Sequence, residues 1–106
     1  MAAKYLEKRG LIILEKNFRS RQGEIDLICR DQEYFVFVEV KYRRNLAKGT
    51  PEAAVGVSKQ KKICKVADYY RLLHHLGENT NVRYDVIAIV EEEIHWIQNA
   101  FPHWYS

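Results

Sequence analysis

The chain has 106 residues, 47% hydrophobic and 29% charged, with a formal net charge of +3 at pH 7. That is ordinary globular composition at the length of one domain, here expected to span 1–106, and it excludes fibrous and disordered classes. No apolar run approaches the roughly 20 residues a membrane helix needs, and there is no basic leader followed by an apolar stretch and a cleavage site, so the expectation is a cytoplasmic protein with no membrane partner. Cys29 and Cys64 belong to no C-x-x-C pair and read as small core residues of a reduced protein.

In chain order, AAKYLEKR reads as a short helix stopped by Gly10. LIILEKNF (11–18) reads as a strand and RSRQG as a polar turn. EIDLICR (24–30) alternates, with Ile25, Leu27 and Cys29 on one face and Glu24, Asp26 and Ile28 on the other. After a tight connection at Asp31-Gln32-Glu33, YFVFVEVKY (34–42) is β-branched and aromatic, a strand that pairs antiparallel with 24–30. Beyond the stretch NLAKGT, Thr50-Pro51-Glu52 has the form of a helix start. Ile63, Val66, Ala67, Tyr70 and Leu73 repeat at helical spacing within 58–76, and Gly77 is the expected stop. RYDVIAIV (83–90) follows as a strand parallel to 34–42 through a βαβ crossover. EIHWIQ (93–98) closes a second hairpin. The tally predicts an α/β fold, a mixed β-sheet flanked by helices.

Two features carry chemistry. The first is the end of FVFVEVKYRR, where Glu39 and Lys41 occupy the face lined by Phe35 and Phe37. A two-residue turn at Gln32-Glu33 puts Asp26 opposite Glu39; a slipped turn puts Glu24 there and Asp26 on the diagonal. Either way two acids meet on one face, which is destabilising in itself. A divalent cation reverses that. Mg²⁺ (or Mn²⁺) is commonly bound by one or two carboxylates plus water and a substrate phosphate, and it activates water for phosphoryl chemistry. A neighbouring lysine can orient the attacking water or stabilise developing charge. Asp26, Glu39 and Lys41 supply those parts, with Arg43 and Arg44 beside them to hold phosphates. The bland alternative is that Glu39 and Lys41 merely pair at an exposed strand end.

The second feature is charge placement. Residues 41–65 hold eight Lys and Arg against the single acid Glu52, a net +7, while the rest of the chain sums to −4. A basic block on an acidic body suits a polyanion, and nucleic acid is the expected partner. Lys48, Lys59, Gln60 and Lys62 join Arg43 and Arg44 as candidate contacts, and Gln60 falls on the apolar stripe of the helix, turned toward the sheet. Lysines at a helix N-terminus oppose its dipole unless an anion binds there; if the helix begins at Thr50 instead, they are solvated mid-helix residues.

The motifs AAKYLEKRG, NFRSRQGEIDLI, FVEVKYR, the 59–63 segment, RYDV and the closing NAF span nearly the whole chain, and together they resemble the YraN-like family of small bacterial proteins. That family looks like a branch of the PD-(D/E)-x-K nuclease superfamily. The resemblance implies a restriction-endonuclease-like fold, close to archaeal Holliday-junction resolvases, with Asp26 and Glu39 as metal ligands, the Val40 carbonyl as a further ligand and Lys41 as the catalytic lysine. Resolvase relatives act as dimers, so a homodimer is a candidate state. Family members usually carry Gly-Glu just before the alanine pair, and the corresponding acid supplements the metal site in resolvase relatives. This chain opens Met1-Ala2-Ala3, so its first helix is expected to be incomplete and Glu24 is the candidate auxiliary acid. The leading expectation is a Mg²⁺-dependent nuclease acting on DNA; the alternative is an inactive nucleic-acid-binding module of the same fold. Asp85 is either a buried structural acid, paired with Arg83 or Arg71, or a neighbour of the site. Trp96, Phe101, Trp104 and Tyr105 are read chiefly as packing groups.

Overall fold

The computed structural model describes residues 1–44 and 55–105. The elements follow the predicted order: α1 (Ala2–Lys8), β1 (Ile12–Ser20), β2 (Gly23–Asp31), β3 (Tyr34–Arg43), α2 (Val57–Leu73), β4 (Asn81–Val90) and β5 (Glu93–Ile97). The strands form one five-stranded sheet in the order β1-β2-β3-β4-β5. β3 and β4 are parallel and the other neighbours antiparallel. A parallel pair needs a crossover, and α2 supplies it, so the N-terminus of α2 returns to the level where β3 ends.

Each face of the sheet has its own core. Ile28, Phe37, Tyr84 and Val86 meet Ile63, Cys64, Val66, Ala67 and Tyr70 of α2, and Phe101 closes this layer. Leu27, Cys29, Val36, Val38, Ile87 and Ile89 meet Ala2 and Leu6 of α1 on the other side. The pleat explains the division on β3, where odd positions face α2 and even positions face α1. Phe37 stacks on Tyr84 at 5.6 Å and Tyr84 on Phe101 at 5.2 Å, so the aromatic segment after β5 packs over the α2 side. Trp96 lies on the opposite side, edge-on to Tyr5 at 6.3 Å.

Several local expectations change. Ile25 joins the α2-side core rather than sharing a face with Leu27 and Cys29, as does its cross-strand partner Phe18, beside the left-handed Asn17. The helix stop lies before Gly77. His75 takes the left-handed conformation, φ 56°, its N–H donates to Leu72 O at 3.2 Å and the Leu76 N–H to Arg71 O at 2.8 Å. Those are the two bonds of a Schellman cap, and they seat Leu76 against the core. The Thr50-Pro51-Glu52 helix start falls outside the described residues; α2 itself begins at Val57, after Gly56, with no side-chain cap and no acid in its first turn. No helix among the described residues is long and apolar enough to cross a membrane.

Candidate functional site

The turn at Gln32-Glu33 sets the register of β2 on β3, from Asp31 opposite Tyr34 to Leu27 opposite Val38. Continued by one residue, it places Asp26 across from Glu39, the first of the two registers considered. The ladder does not continue as backbone pairing. The Val40 N–H donates instead to Asp26 Oδ2 at 2.7 Å, so the Asp26 carboxylate takes the place of a main-chain carbonyl where β2 and β3 part. That side chain thus lies at the seam between the two faces.

Glu39 is on the α2 face, and its side chain is only 5% exposed. Lys59 Nζ stands 3.4 Å from Glu39 Oε2, and Lys41 Nζ stands 3.8 Å from the same oxygen. Burial pushes the Glu39 carboxyl up to about 7, helped by a hydrogen bond and charge repulsion from Asp26; Lys59 and Lys41 pull it down without cancelling the rise. Like-charged acids sharing a partly dry site behave in this way. The donor set suits a hard divalent cation: two adjacent carboxylates, one of them costly to ionise alone, next to the main chain of Val40. Among the described residues no cluster of three or more His, Cys, Asp or Glu forms, so water and a ligand would complete the coordination.

Lys59 is the residue whose place the sequence left open. It was grouped with the general phosphate contacts, yet it approaches Glu39 more closely than Lys41 does. The signal was topological. A crossover helix returns to the end of the strand it leaves, so the first turn of α2 must face the last residues of β3.

The other candidates are scattered. Gln60 does face inward but is already engaged: its Nε2 donates to Val55 O at 2.9 Å, and its Oε1 accepts from Trp104 Nε1 at 3.0 Å. It anchors the aromatic tail to α2. Glu24 is held by Arg19 at 2.6 Å, directly across β1–β2. Arg43 and Arg44 line a hollow of about 470 Å³ beside Glu91 and Glu92 of the β4–β5 turn. Lys62 is exposed on α2, and Lys48 lies outside the described residues. Asp85 is structural: fully buried, it accepts from Arg83 twice at 3.0 Å and from Trp96 Nε1 and Asn99 N at 2.9 Å. On the α1 side of Asp26, a cleft of about 320 Å³ is lined by Lys16, Asn17, Leu27, Val40, Tyr42 and the first residues of α1.

The family model described as "Uncharacterised protein family UPF0102" matches residues 1–89. A UPF0102 protein of Lachnoclostridium phytofermentans is 50% identical over 105 residues, covering 99% of this chain and 89% of the relative. One of Colwellia psychrerythraea is 46% identical, covering 94% and 81%. One of Clostridioides difficile is 45% identical, covering 95% and 90%. By the extent of these matches, this chain belongs to the UPF0102 family.

Proposed function

We propose that the chain is a metal-dependent nuclease that hydrolyses phosphodiester bonds in DNA, built on a restriction-endonuclease-like variant of the mixed sheet. The observation that carries the reading is Glu39: a carboxylate on a central strand, just past the point where β2 parts from that strand, 5% exposed, set against a second acid and approached by two lysines. A buried acid with a strongly raised pKa and a specific charge partner is a functional-site candidate.

Asp26, Glu39 and the Val40 carbonyl would hold Mg²⁺ or Mn²⁺, which when bound supplies charge neutralisation and a more acidic water. The hydrogen bond from Val40 N–H fixes the Asp26 carboxylate, so one ligand is oriented before any substrate arrives. Lys41 and Lys59 both point at Glu39 Oε2. Their ammonium groups are free to turn to a phosphate oxygen once Glu39 has another partner. Lys41, on the strand itself, is the group placed to orient the attacking water. Lys59, in the first turn of α2, adds its charge to the helix end, where the backbone favours an anion.

The experiment is calorimetric titration of Mn²⁺ and Mg²⁺ into wild type and Asp26→Asn, repeated with a short DNA present. Saturable wild-type binding that disappears in the variant is expected, followed by cleavage in a screen of branched, single-stranded and nicked DNA. A folded protein that binds no cation up to several millimolar, with or without DNA, overturns the reading. One observation favours a second reading, a DNA-binding module without turnover: Lys59 already pairs with Glu39 at 3.4 Å, where a cation's charge would act. On that reading DNA binds equally well with and without the cation.

A further inference from the structure

Asn17 has φ 53°, the left-handed conformation, in the middle of β1. Every other non-glycine residue of positive φ among the described residues (Gln32, His75, Glu91, Glu92 and Asn99) lies in a turn or just beyond an element. A turn needs such a residue; a strand interior does not, and asparagine tolerates it better than most side chains. The distortion is not the by-product of an inserted residue, because the register shift of β1 on β2 lies between Ile13 and Glu15. Lys16 pairs with Leu27 and Phe18 with Ile25, so Asn17 sits directly across from Asp26. Left-handed backbone at such a place commonly marks function.

The distortion brings Lys16 and Asn17, two successive residues of one strand, to the same cleft as Asp26. In a regular strand they would face opposite ways. The cleft's volume, about 320 Å³, is near the lower end of the roughly 300–1,000 Å³ of small-ligand pockets. Tyr42 stands at its rim, 74% exposed. One opening therefore gathers an ammonium, a carboxamide, the Asp26 carboxylate and a free aromatic face. That set matches the parts of a nucleotide.

We propose that this cleft is a nucleotide subsite. It takes the nucleotide adjoining the phosphodiester at Asp26 and Glu39, and so rests on the nuclease reading above. Lys16 meets the flanking phosphate, the Asn17 carboxamide hydrogen-bonds the sugar or base, and Tyr42 stacks on the base. A base can lie on Tyr42 only when it has left its own stack. The substrate class is then DNA with an unpaired nucleotide beside the cleaved bond: a flap, a fork or a single-stranded end.

The test is fluorescence anisotropy with two fluorescein-labelled oligonucleotides, a blunt duplex and the same duplex with an unpaired tail, in Ca²⁺. The variants are Tyr42→Ala, Asn17→Gly and Asn17→Ala. Asn17→Gly removes the carboxamide while suiting the left-handed backbone, whereas Asn17→Ala keeps a Cβ there. Asn17→Gly should melt at or above the wild-type temperature and Asn17→Ala below it. Tyr42→Ala and Asn17→Gly should each weaken tailed-duplex binding about tenfold or more, the scale of one lost base–aromatic stack, and change blunt-duplex binding far less. If the wild type binds DNA but Asn17→Gly and Tyr42→Ala bind the tailed duplex as it does, the subsite is overturned and the nuclease reading stands. If the wild type binds neither oligonucleotide, both fall.

Discussion

Glu39 and Asp85 are the two buried acids among the described residues. They stand on adjacent parallel strands and face opposite layers. Asp85 accepts four hydrogen bonds, two of them from Arg83, which also meets Asp31 at 3.1 Å. Burial, which lowers the Arg83 pKa, is outweighed there by Asp85 and Asp31, and the net shift is upward. Glu39 has a second acid beside it and two partly exposed lysines at 3.4 and 3.8 Å sharing one oxygen. One acid is satisfied by four donors; the other is set against a second acid, and on the proposed reading a bound cation would satisfy it. Depth of burial does not separate them; the donors around them do.

The sharpest way to break the comparison is to remove each acid in turn. Asp85→Ala leaves the mostly buried Arg83 with Asp31 as its one remaining acid and strands the Trp96 and Asn99 N–H donors, and should cost about 2–4 kcal/mol. Urea denaturation should show a lower midpoint at unchanged slope. A loss below about 1 kcal/mol would mean the network is slack. Glu39→Gln should do the opposite. The folded carboxyl titrates near 7 against an ordinary 4.5, so the fold favours the protonated acid. That preference is fully present below the unfolded value and is lost as pH rises through the folded one. Above pH 7 the wild type thus carries the cost of a buried charge, on the order of 3 kcal/mol. The amide escapes it, so the variant should melt higher at pH 8, with the advantage closing below pH 5. A lower melting temperature at pH 8 would show that Glu39 is well satisfied after all.

Smaller changes refine the picture. Asp26→Asn keeps an oxygen to accept the Val40 N–H, so stability should move by about 1 kcal/mol or less. Carbon-detected NMR should show Glu39 titrating nearer the ordinary carboxyl range, because the charge of Asp26 is gone. Lys59→Ala and Lys41→Ala remove partly exposed partners and should each cost less than about 1 kcal/mol. Both should raise the Glu39 titration further, Lys59→Ala more than Lys41→Ala, in keeping with the shorter contact.

The hairpin was readable because it is local. Alternation in 24–30 and 34–42 and a short connection leave two registers, both of which bring Asp26 near Glu39, and the structure takes the one with Asp26 opposite Glu39. The βαβ step was readable because a strand followed by a long amphipathic helix and another strand has few alternatives. What escaped depends on partners distant in sequence. Gln60 was rightly turned inward, yet Trp104, 44 positions on, takes its oxygen. Asp85 is satisfied in part by Trp96 on the partner strand of its hairpin and by Asn99 just past that strand. The changed face of Ile25 is shared with Phe18 across β1, beside the left-handed Asn17, a local irregularity that a repeating pattern of faces cannot anticipate.

The two thiols offer a further use of the layered design. Cys29 lies fully buried in the layer under α1 and Cys64 in the layer under α2. Burial, and then the charge of Asp85, pushes the Cys29 thiol up to about 12, and burial raises Cys64 as well. Thiolate is the reactive form, so both should be silent to a disulfide reagent while the protein stays closed. With two cysteines in the sequence, the single variants Cys29→Ala and Cys64→Ala turn each remaining thiol into a clock for one layer. Equal labelling rates would report a sheet whose two sides open together; unequal rates would identify the side that loosens first, and hence whether the strand ends carrying Glu39 are exposed by breathing of α1 or of α2.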